Sequence, residues 1–150
     1  MLKRKIVQKR VIALVLAMVL LAAMSFMMVS ARYGMGGANV YNGSIKLAEG
    51  YAWNNNVQTT NYTMNAETSK VHSSIVVVTA KTAIIYRDSS IGPDSITKWS
   101  DENHGNSYIS ASVSIGVESW IIPLGGAGYY AAIDGSARYA NNSTHSWIWG

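Results

Sequence analysis

The stretch SYISASVSIGVESW, Ser107 to Trp120, alternates between two kinds of side chain. One row is apolar and the other holds mainly small polar residues: Ile109, Ala111, Val113, Ile115 and Val117 against Ser110, Ser112, Ser114, Gly116 and Glu118. Because successive side chains of a strand point to opposite faces of its sheet, this period of two predicts a β-strand with one dry face. We expect the apolar row to face a second sheet. The serine row then faces water or forms a flat surface for another chain or polymer.

Two further features of the chain predict strands and hairpins. The run VHSSIVVVTAKTAIIYR, residues 71–87, is rich in β-branched residues and holds neither Gly nor Pro. It predicts one long strand that bends near residues 80–82, or two strands that reverse there. Asn42-Gly43 and Asp134-Gly135 predict tight hairpin turns, because such pairs adopt the positive φ angles that these turns need.

Segments rich in Asn and Gly separate these runs. Residues 54–65, NNNVQTTNYTMN, predict a polar loop with a short edge strand. Residues 87–106 predict a connection with a short element around 96–99. The glycines at 125, 126 and 128 predict a turn. After the first 31 residues no apolar stripe has helical spacing. Strands separated by turns roughly every ten residues predict an all-β chain, folded as an antiparallel β-sandwich or a small barrel.

The first 31 residues have the order of a secretory signal peptide. Five Lys and Arg side chains precede an apolar run of nineteen residues, and Val29-Ser30-Ala31 ends that run as signal peptidase requires. We therefore place a cut after Ala31 and predict a secreted, extracellular protein. A retained membrane anchor stays open as the alternative, because the apolar run approaches the thickness of a bilayer's hydrocarbon core.

Residues 32–150 have the length of one domain with a single core. The segment RYGMGGA, residues 32–38, holds three glycines among seven positions and little to bury. It predicts a flexible leader. We therefore assign a single β domain to residues 39–150.

The formal charge of +4 on the whole chain is explained by its first ten residues. Residues 32–150 hold seven Lys and Arg side chains against eight acids, a net charge of −1. Without a basic patch we expect no nucleic-acid partner, and membrane contact only through an uncleaved signal. The chain has no Cys, as is common in secreted proteins of Gram-positive bacteria, so packing and strand pairing must stabilise it without disulfides.

No stretch of the sequence carries a recognisable catalytic or metal-binding motif. The histidines His72, His104 and His145 lie outside any nucleophile elbow of the Gly-x-Ser-x-Gly type. Residues 101–106, DENHGN, place oxygen ligands before a glycine as a calcium loop does, but Ser112 stands where the closing acid belongs. We expect no catalytic residue, no metal and no cofactor. A small hydrolase that uses His72 or His104 with a nearby acid stays open as an alternative.

Aromatic side chains give the strongest indication of a binding role. All nine Tyr and all five Trp follow residue 31, and these side chains offer large contact areas with a polar end. We expect Trp120 and Tyr86 to pack in the core. The residues that we predict to bind a ligand are Trp53, Tyr129, Tyr130, Trp147 and Trp149.

The layout of the chain resembles that of the lactococcin-type β-sandwich bacteriocins. The shared features are the signal, the absence of Cys, a mature part rich in Ser, Asn, Tyr and Trp, and the aromatic residues Trp147 and Trp149 near the C-terminus. The resemblance implies a secreted protein that acts on the cell envelope of related bacteria by interfering with wall synthesis. It rests on composition and layout over the mature region, and it transfers no functional residue.

These observations predict a secreted non-enzymatic protein that binds a cell-wall component or another extracellular ligand, with antibacterial action as its most specific form. One alternative is a structural or assembly protein of the cell surface, in which copies of the chain associate through their strands. The small secreted hydrolase is the other alternative.

Overall fold

The computed structural model describes residues 32–55 and 60–149, and these contain strands and no helix. The strands are β1 (Arg32–Gly36), β2 (Asn39–Asn42), β3 (Ile45–Asn55), β4 (Asn61–Lys70), β5 (Val77–Asp88), β6 (Ser95–Trp99), β7 (Asn103–Gly105), β8 (Tyr108–Gly116), β9 (Ile121–Asp134) and β10 (Ala137–Ser146). The prediction of an all-β chain is confirmed. The predicted signal peptide and its cut site lie outside the described residues. Within those residues no helix is long and apolar enough to cross a membrane.

The strands form two antiparallel sheets. In the first sheet β3 pairs with β4 and β4 with β8, while β1 and β2 pair with successive parts of the other side of β3. In the second sheet β10 pairs with β9 and β9 with β5, while β6 and β7 pair with successive parts of the other side of β5. Each sheet is therefore open, and one of its edges is split between two short strands.

The hydrophobic core draws on side chains from both sheets. Its buried members include Met64, Ala66 and Val113 from the first sheet and Val78, Ile84 and Tyr130 from the second. The buried Thr68 hydroxyl on β4 donates a hydrogen bond of 2.7 Å to the carbonyl of Thr79 on β5. This bond joins the sheets through polar groups that would be costly to bury unpaired.

Glycines in both sheets make room for the largest core side chains. A Cβ atom on Gly50 would lie 2.1 Å from the Tyr130 ring, and one on Gly128 would lie 2.1 Å from the Tyr130 hydroxyl. Gly126 leaves similar room for Met64. The glycines at 125, 126 and 128 lie in strand β9 rather than in the predicted turn. At 126 and 128 a close-packed core leaves no space for an added carbon.

Strand β8 confirms the predicted two-faced strand over residues 108–116, whereas Val117, expected in the buried row, lies beyond the strand and is exposed. Ala111, Val113 and Ile115 are buried, whereas the serines between them are exposed. Both predicted hairpins are also present, with two-residue loops at Gly43-Ser44 and Gly135-Ser136. The two glycines have φ angles of 59° and 58°, and a glycine at the first loop position is the pattern of a type II′ turn.

The structure differs from the sequence predictions in three segments. Residues 32–36, inside the predicted flexible leader, form β1 and pair with β3. Residues 54–65, predicted as a loop, include the end of β3 and the start of β4, and Asn54 lies opposite Met64. Residues 77–88 form one unreversed strand, which was one of the two predicted alternatives, but its irregularity lies between Ile85 and Tyr86 rather than near residues 80–82. In the first two segments backbone pairing satisfies the polar groups of residues whose composition suggested a loop.

Side chains of the second sheet donate hydrogen bonds to backbone carbonyls of the outermost strands of the first sheet. On β8, the Ser110 carbonyl accepts a bond of 2.8 Å from the Asn103 amide, and the Ser114 carbonyl accepts one of 2.8 Å from the Lys98 ammonium. On β2, the Asn39 carbonyl accepts a bond of 2.8 Å from the Asn141 amide. Edge strands with free backbone groups pair readily with other chains, so these bonds partly cover both edges.

Candidate ligand-binding groove

The outer face of the second sheet carries an open groove with a volume of about 360 Å³. Its lining combines aromatic, charged and small polar side chains, among them Thr79, Lys81, Trp99, Glu102, Tyr129 and Arg138. Binding pockets for small molecules typically combine aromatic surfaces with a few polar groups that fix orientation. The groove is therefore the candidate functional site.

The register of the sheet arranges the groove in rows of side chains. Lys81, Tyr129 and Asn142 lie opposite one another on β5, β9 and β10 and form one wall. The next row forms a low floor of small side chains, Thr79, Ala131 and Ala140. Arg138, four residues before Asn142 on β10, marks the other wall, which places the walls about 13 Å apart at roughly 3.3 Å per residue.

Trp99 and Tyr129 form the aromatic side of the groove. Their ring centroids are 5.1 Å apart and the ring planes are tilted by 53°. The Lys81 ammonium lies 4.9 Å from the centroid of the Trp99 ring, which is the geometry of a cation–π contact. Trp99 remains 45% exposed, so one large aromatic surface is open to a ligand.

Glu102 and Arg138 form an ion pair on the opposite side of the groove. Ser100 positions this segment, because its N–H donates to the Thr82 carbonyl at 2.9 Å and its hydroxyl accepts from the Thr82 N–H at 3.0 Å. Burial alone would raise the pKa of Glu102. Hydrogen bonds from Thr79 and Arg138 and the positive charges of Arg138 and His104 outweigh that effect and lower it.

Of the aromatic residues predicted to bind a ligand, Tyr129 lines the open side of this groove. Tyr130 borders it only from beneath, because its side chain is 1% exposed and its hydroxyl bonds to that of Ser143 at 2.8 Å. Trp53 is buried and borders a separate hollow with Ser110 and Ser112 of the serine row. The structure therefore does not bring the five predicted residues into one site.

Trp147 and Trp149 belong to an aromatic cluster near the C-terminus. Tyr62 meets both indole rings edge-on, at centroid distances of 5.8 and 6.0 Å, and the two indoles are 6.4 Å apart. Trp147 is buried, whereas Trp149 is 58% exposed. We call Tyr62, Trp147 and Trp149 the C-terminal cluster.

Sequence reasoning missed most of the groove. The side chains of Lys81, Trp99, Glu102 and Arg138 come from separate strands and one connection, and only the sheet register brings them together. The isolated Trp99 next to the charged run Asp101-Glu102 was the one available signal. Trp120, expected in the core, is 44% exposed, whereas Tyr86 packs against the core as expected.

The histidines named by the hydrolase alternative occupy exposed or half-buried positions. The Nδ1 atom of His72 lies 2.9 Å from the Ser74 hydroxyl, two residues along the same turn. His104 lies on the short strand β7 and is exposed. In residues 32–55 and 60–149, no three His, Asp or Glu side chains are grouped in a way that would hold a metal ion.

The chain was compared with known proteins. No model of a protein family matches its sequence, and a search of curated proteins finds no similar one.

Proposed function

We propose that the protein is secreted and binds, without catalysing a reaction, a saccharide of a cell envelope or another extracellular ligand in the groove of the second sheet. The observation that carries this proposal is the exposed Trp99 ring beside Tyr129, next to the amide of Asn142. Flat aromatic faces bind the apolar faces of sugar rings, while amides and charged groups exchange hydrogen bonds with hydroxyl groups.

The proposed fold is a β-sandwich, in which the two sheets face each other across the shared core. The buried Thr68 to Thr79 bond and the side-chain bonds at β2 and β8 support this arrangement. Two sheets packed in this way would hold the rows of the groove at fixed positions. Binding sites built on such regular elements keep their geometry better than sites on loops.

The chemistry of the groove supports binding rather than reaction. The carboxylate of Glu102 in its lining is paired with Arg138 and bonded to Thr79, so it is held as a fixed charge. A general acid or base needs a pKa near the working pH, and the shift at Glu102 moves it further from neutrality. Antibacterial action at the envelope is the most specific form of the proposal, and it is supported by the sequence layout.

The partly covered edges of the first sheet weigh against assembly through strand pairing at β2 and β8. Bonds from Asn103 and Lys98 already occupy two carbonyls of β8, and a bond from Asn141 occupies one of β2. A pairing strand would have to displace these side chains first.

The experiment is a binding assay with the protein prepared from the full chain. Peptidoglycan, chitin oligosaccharides and purified envelope glycans are titrated while tryptophan fluorescence is recorded. Trp99→Ala should weaken binding about five- to thirtyfold, because loss of a stacked aromatic face removes on the order of 1–2 kcal/mol of binding free energy.

Trp120→Ala is the matched control, because Trp120 is exposed to a similar extent but lies outside the groove. It should leave binding unchanged. Equal loss in both variants, or no saccharide binding by the parent protein, would contradict the proposal. Growth inhibition of Gram-positive strains, measured with the same variants, tests its antibacterial form.

A further inference from the structure

Lys81 differs from the other charged side chains of the groove. Arg138 and Glu102 neutralise each other as an ion pair. Within the part of the chain that the structure describes, no carboxylate pairs with Lys81, and its ammonium instead lies over the Trp99 ring. The groove therefore has one uncompensated positive charge, although residues 32–150 as a whole carry a net charge of −1.

The contact that holds Lys81 is easily exchanged. A cation–π contact at an exposed site is weak, and Lys has a long flexible stem whose charged end moves to follow its partner. Asn142 lies in the same row as Lys81 and Tyr129, and its side-chain amide makes no hydrogen bond to the described residues. A ligand that enters beside Trp99 therefore meets an available cation and an available amide together.

We propose that the groove selects an anionic saccharide, with a sugar ring stacked on Trp99 and Tyr129 and a carboxylate or phosphate group bound by Lys81. This inference rests on the proposed function and names the class of its ligand. Charge-assisted hydrogen bonds are short and strong, and an ammonium binds either anion as a point charge. The Glu102–Arg138 pair would bind hydroxyl groups at the opposite wall without adding net charge.

The test compares three fluorescently labelled oligosaccharides of equal length, which are neutral, carboxylated and phosphorylated. Probes of N-acetylglucosamine, galacturonic acid and mannose phosphate serve this purpose. We expect the anionic probes to bind about tenfold more tightly than the neutral one at low salt, with an advantage that shrinks as salt is added. Preference for one anionic probe over the other identifies which anion the ligand carries, and either preference supports the inference.

Lys81→Gln and Lys70→Gln distinguish a local site from a general charge effect. Both variants remove one positive charge, but Lys70 lies at the end of β4 and outside the groove. Lys81→Gln should abolish the preference for anionic probes, while Lys70→Gln should keep that preference. Equal binding of all probes, or equal loss in both variants, would overturn the inference. Failure of every probe to bind would instead contradict the proposed function.

Discussion

Two of the regions in which aromatic rings meet have different surroundings, and these give the rings different roles. In the groove, Trp99 and Tyr129 are 5.1 Å apart and lie beside charged and amide groups, with Trp99 45% exposed. In the C-terminal cluster, Tyr62 packs edge-on against Trp147 at 5.8 Å, and Trp147 is 6% exposed. Ring spacing is similar in the two regions, so spacing does not separate a binding surface from a packed one.

Hydrogen bonds of the backbone next to the C-terminal cluster also distinguish it from the groove. The N–H of Trp147 donates to the Leu124 carbonyl at 2.8 Å, and the Asn54 amide donates to the Ile148 carbonyl at 2.8 Å. Leu124 belongs to the second sheet and Asn54 to the first, so the tail is bonded to both. The tail that carries the buried Trp147 is therefore fixed by bonds to both sheets, whereas Trp99 in the groove is partly open to solvent.

The largest effect should come from Trp147→Ala. Removing a buried indole leaves a cavity and costs about 3–5 kcal/mol of unfolding free energy. Trp149→Ala removes the exposed ring that lies beside Trp147, and it should lower the free energy of unfolding by about 1 kcal/mol or less. Urea unfolding at neutral pH, followed by circular dichroism, measures both. Similar losses for the two variants would show that the C-terminal cluster does not act as packed core.

Asn54→Ala should have the next largest effect. The variant removes the hydrogen bond to the Ile148 carbonyl together with a fully buried side chain, and a typical hydrogen bond alone contributes about 0.5–1.5 kcal/mol. Asn61→Ala is the matched control, because Asn61 is exposed on the next strand and its amide bonds to the adjacent Thr60. Hydrogen exchange at the Trp147 N–H should become faster in Asn54→Ala and stay slow in the control. Unchanged exchange would mean that this bond does not fix the tail.

The sequence of strand β8 predicts an all-β fold, because its apolar side chains recur at every second position and have to be buried on one face of a sheet. The same rule explains β4, whose Met64 and Ala66 are buried although the Asn and Thr residues around them suggested a loop. Asn-rich composition favours turns locally, but the pairing of β4 with β3 and β8 outweighs that preference. Periodicity was therefore the more reliable signal, and composition the less reliable one.

The candidate site was harder to predict than the fold. Tyr129 and Tyr130 are adjacent in sequence, yet one lines the groove and the other fills the core, because neighbours on a strand face opposite sides. Glycines at positions 50 and 128 decide which of the two turns inward, and position 50 belongs to the other sheet. Contacts between distant segments of this kind leave no local pattern in the sequence.

Tyr130→Phe tests this division between inward and outward faces. At neutral pH the variant should lose about 1 kcal/mol, because the hydrogen bond to Ser143 is removed. Burial raises the pKa of Tyr130 to about 12, despite the opposing hydrogen bond from Ser143. Its neutral form therefore stabilises the fold below the ordinary tyrosine pKa of about 10, and that contribution falls as the pH rises from there toward about 12.

The parent protein should therefore lose its advantage over Tyr130→Phe as the pH rises through this range. Urea unfolding from about pH 8 to pH 11 measures the difference, within the range in which Tyr130 begins to titrate. Tyr129→Phe keeps the core tyrosine and should retain the alkaline dependence of the parent protein. A constant difference between the parent protein and Tyr130→Phe across this range would contradict the assignment of Tyr130 to the core.

The smallest expected effect concerns the charged wall of the groove, where Glu102→Gln removes an ion pair that is open to solvent. Such pairs contribute about 0–1 kcal/mol, so the variant should be slightly less stable than the parent protein at neutral pH. The pKa of Glu102 is lowered in the folded protein, so its contribution is present above the ordinary pKa and disappears as the pH falls through the lowered one. Unfolding curves of the two proteins should therefore converge as the pH is lowered below the ordinary glutamate pKa. A difference in stability that persists in acid would mean that the introduced glutamine amide disturbs the contacts with Thr79 and Arg138. This wall would then contribute to stability through packing, as the C-terminal cluster does.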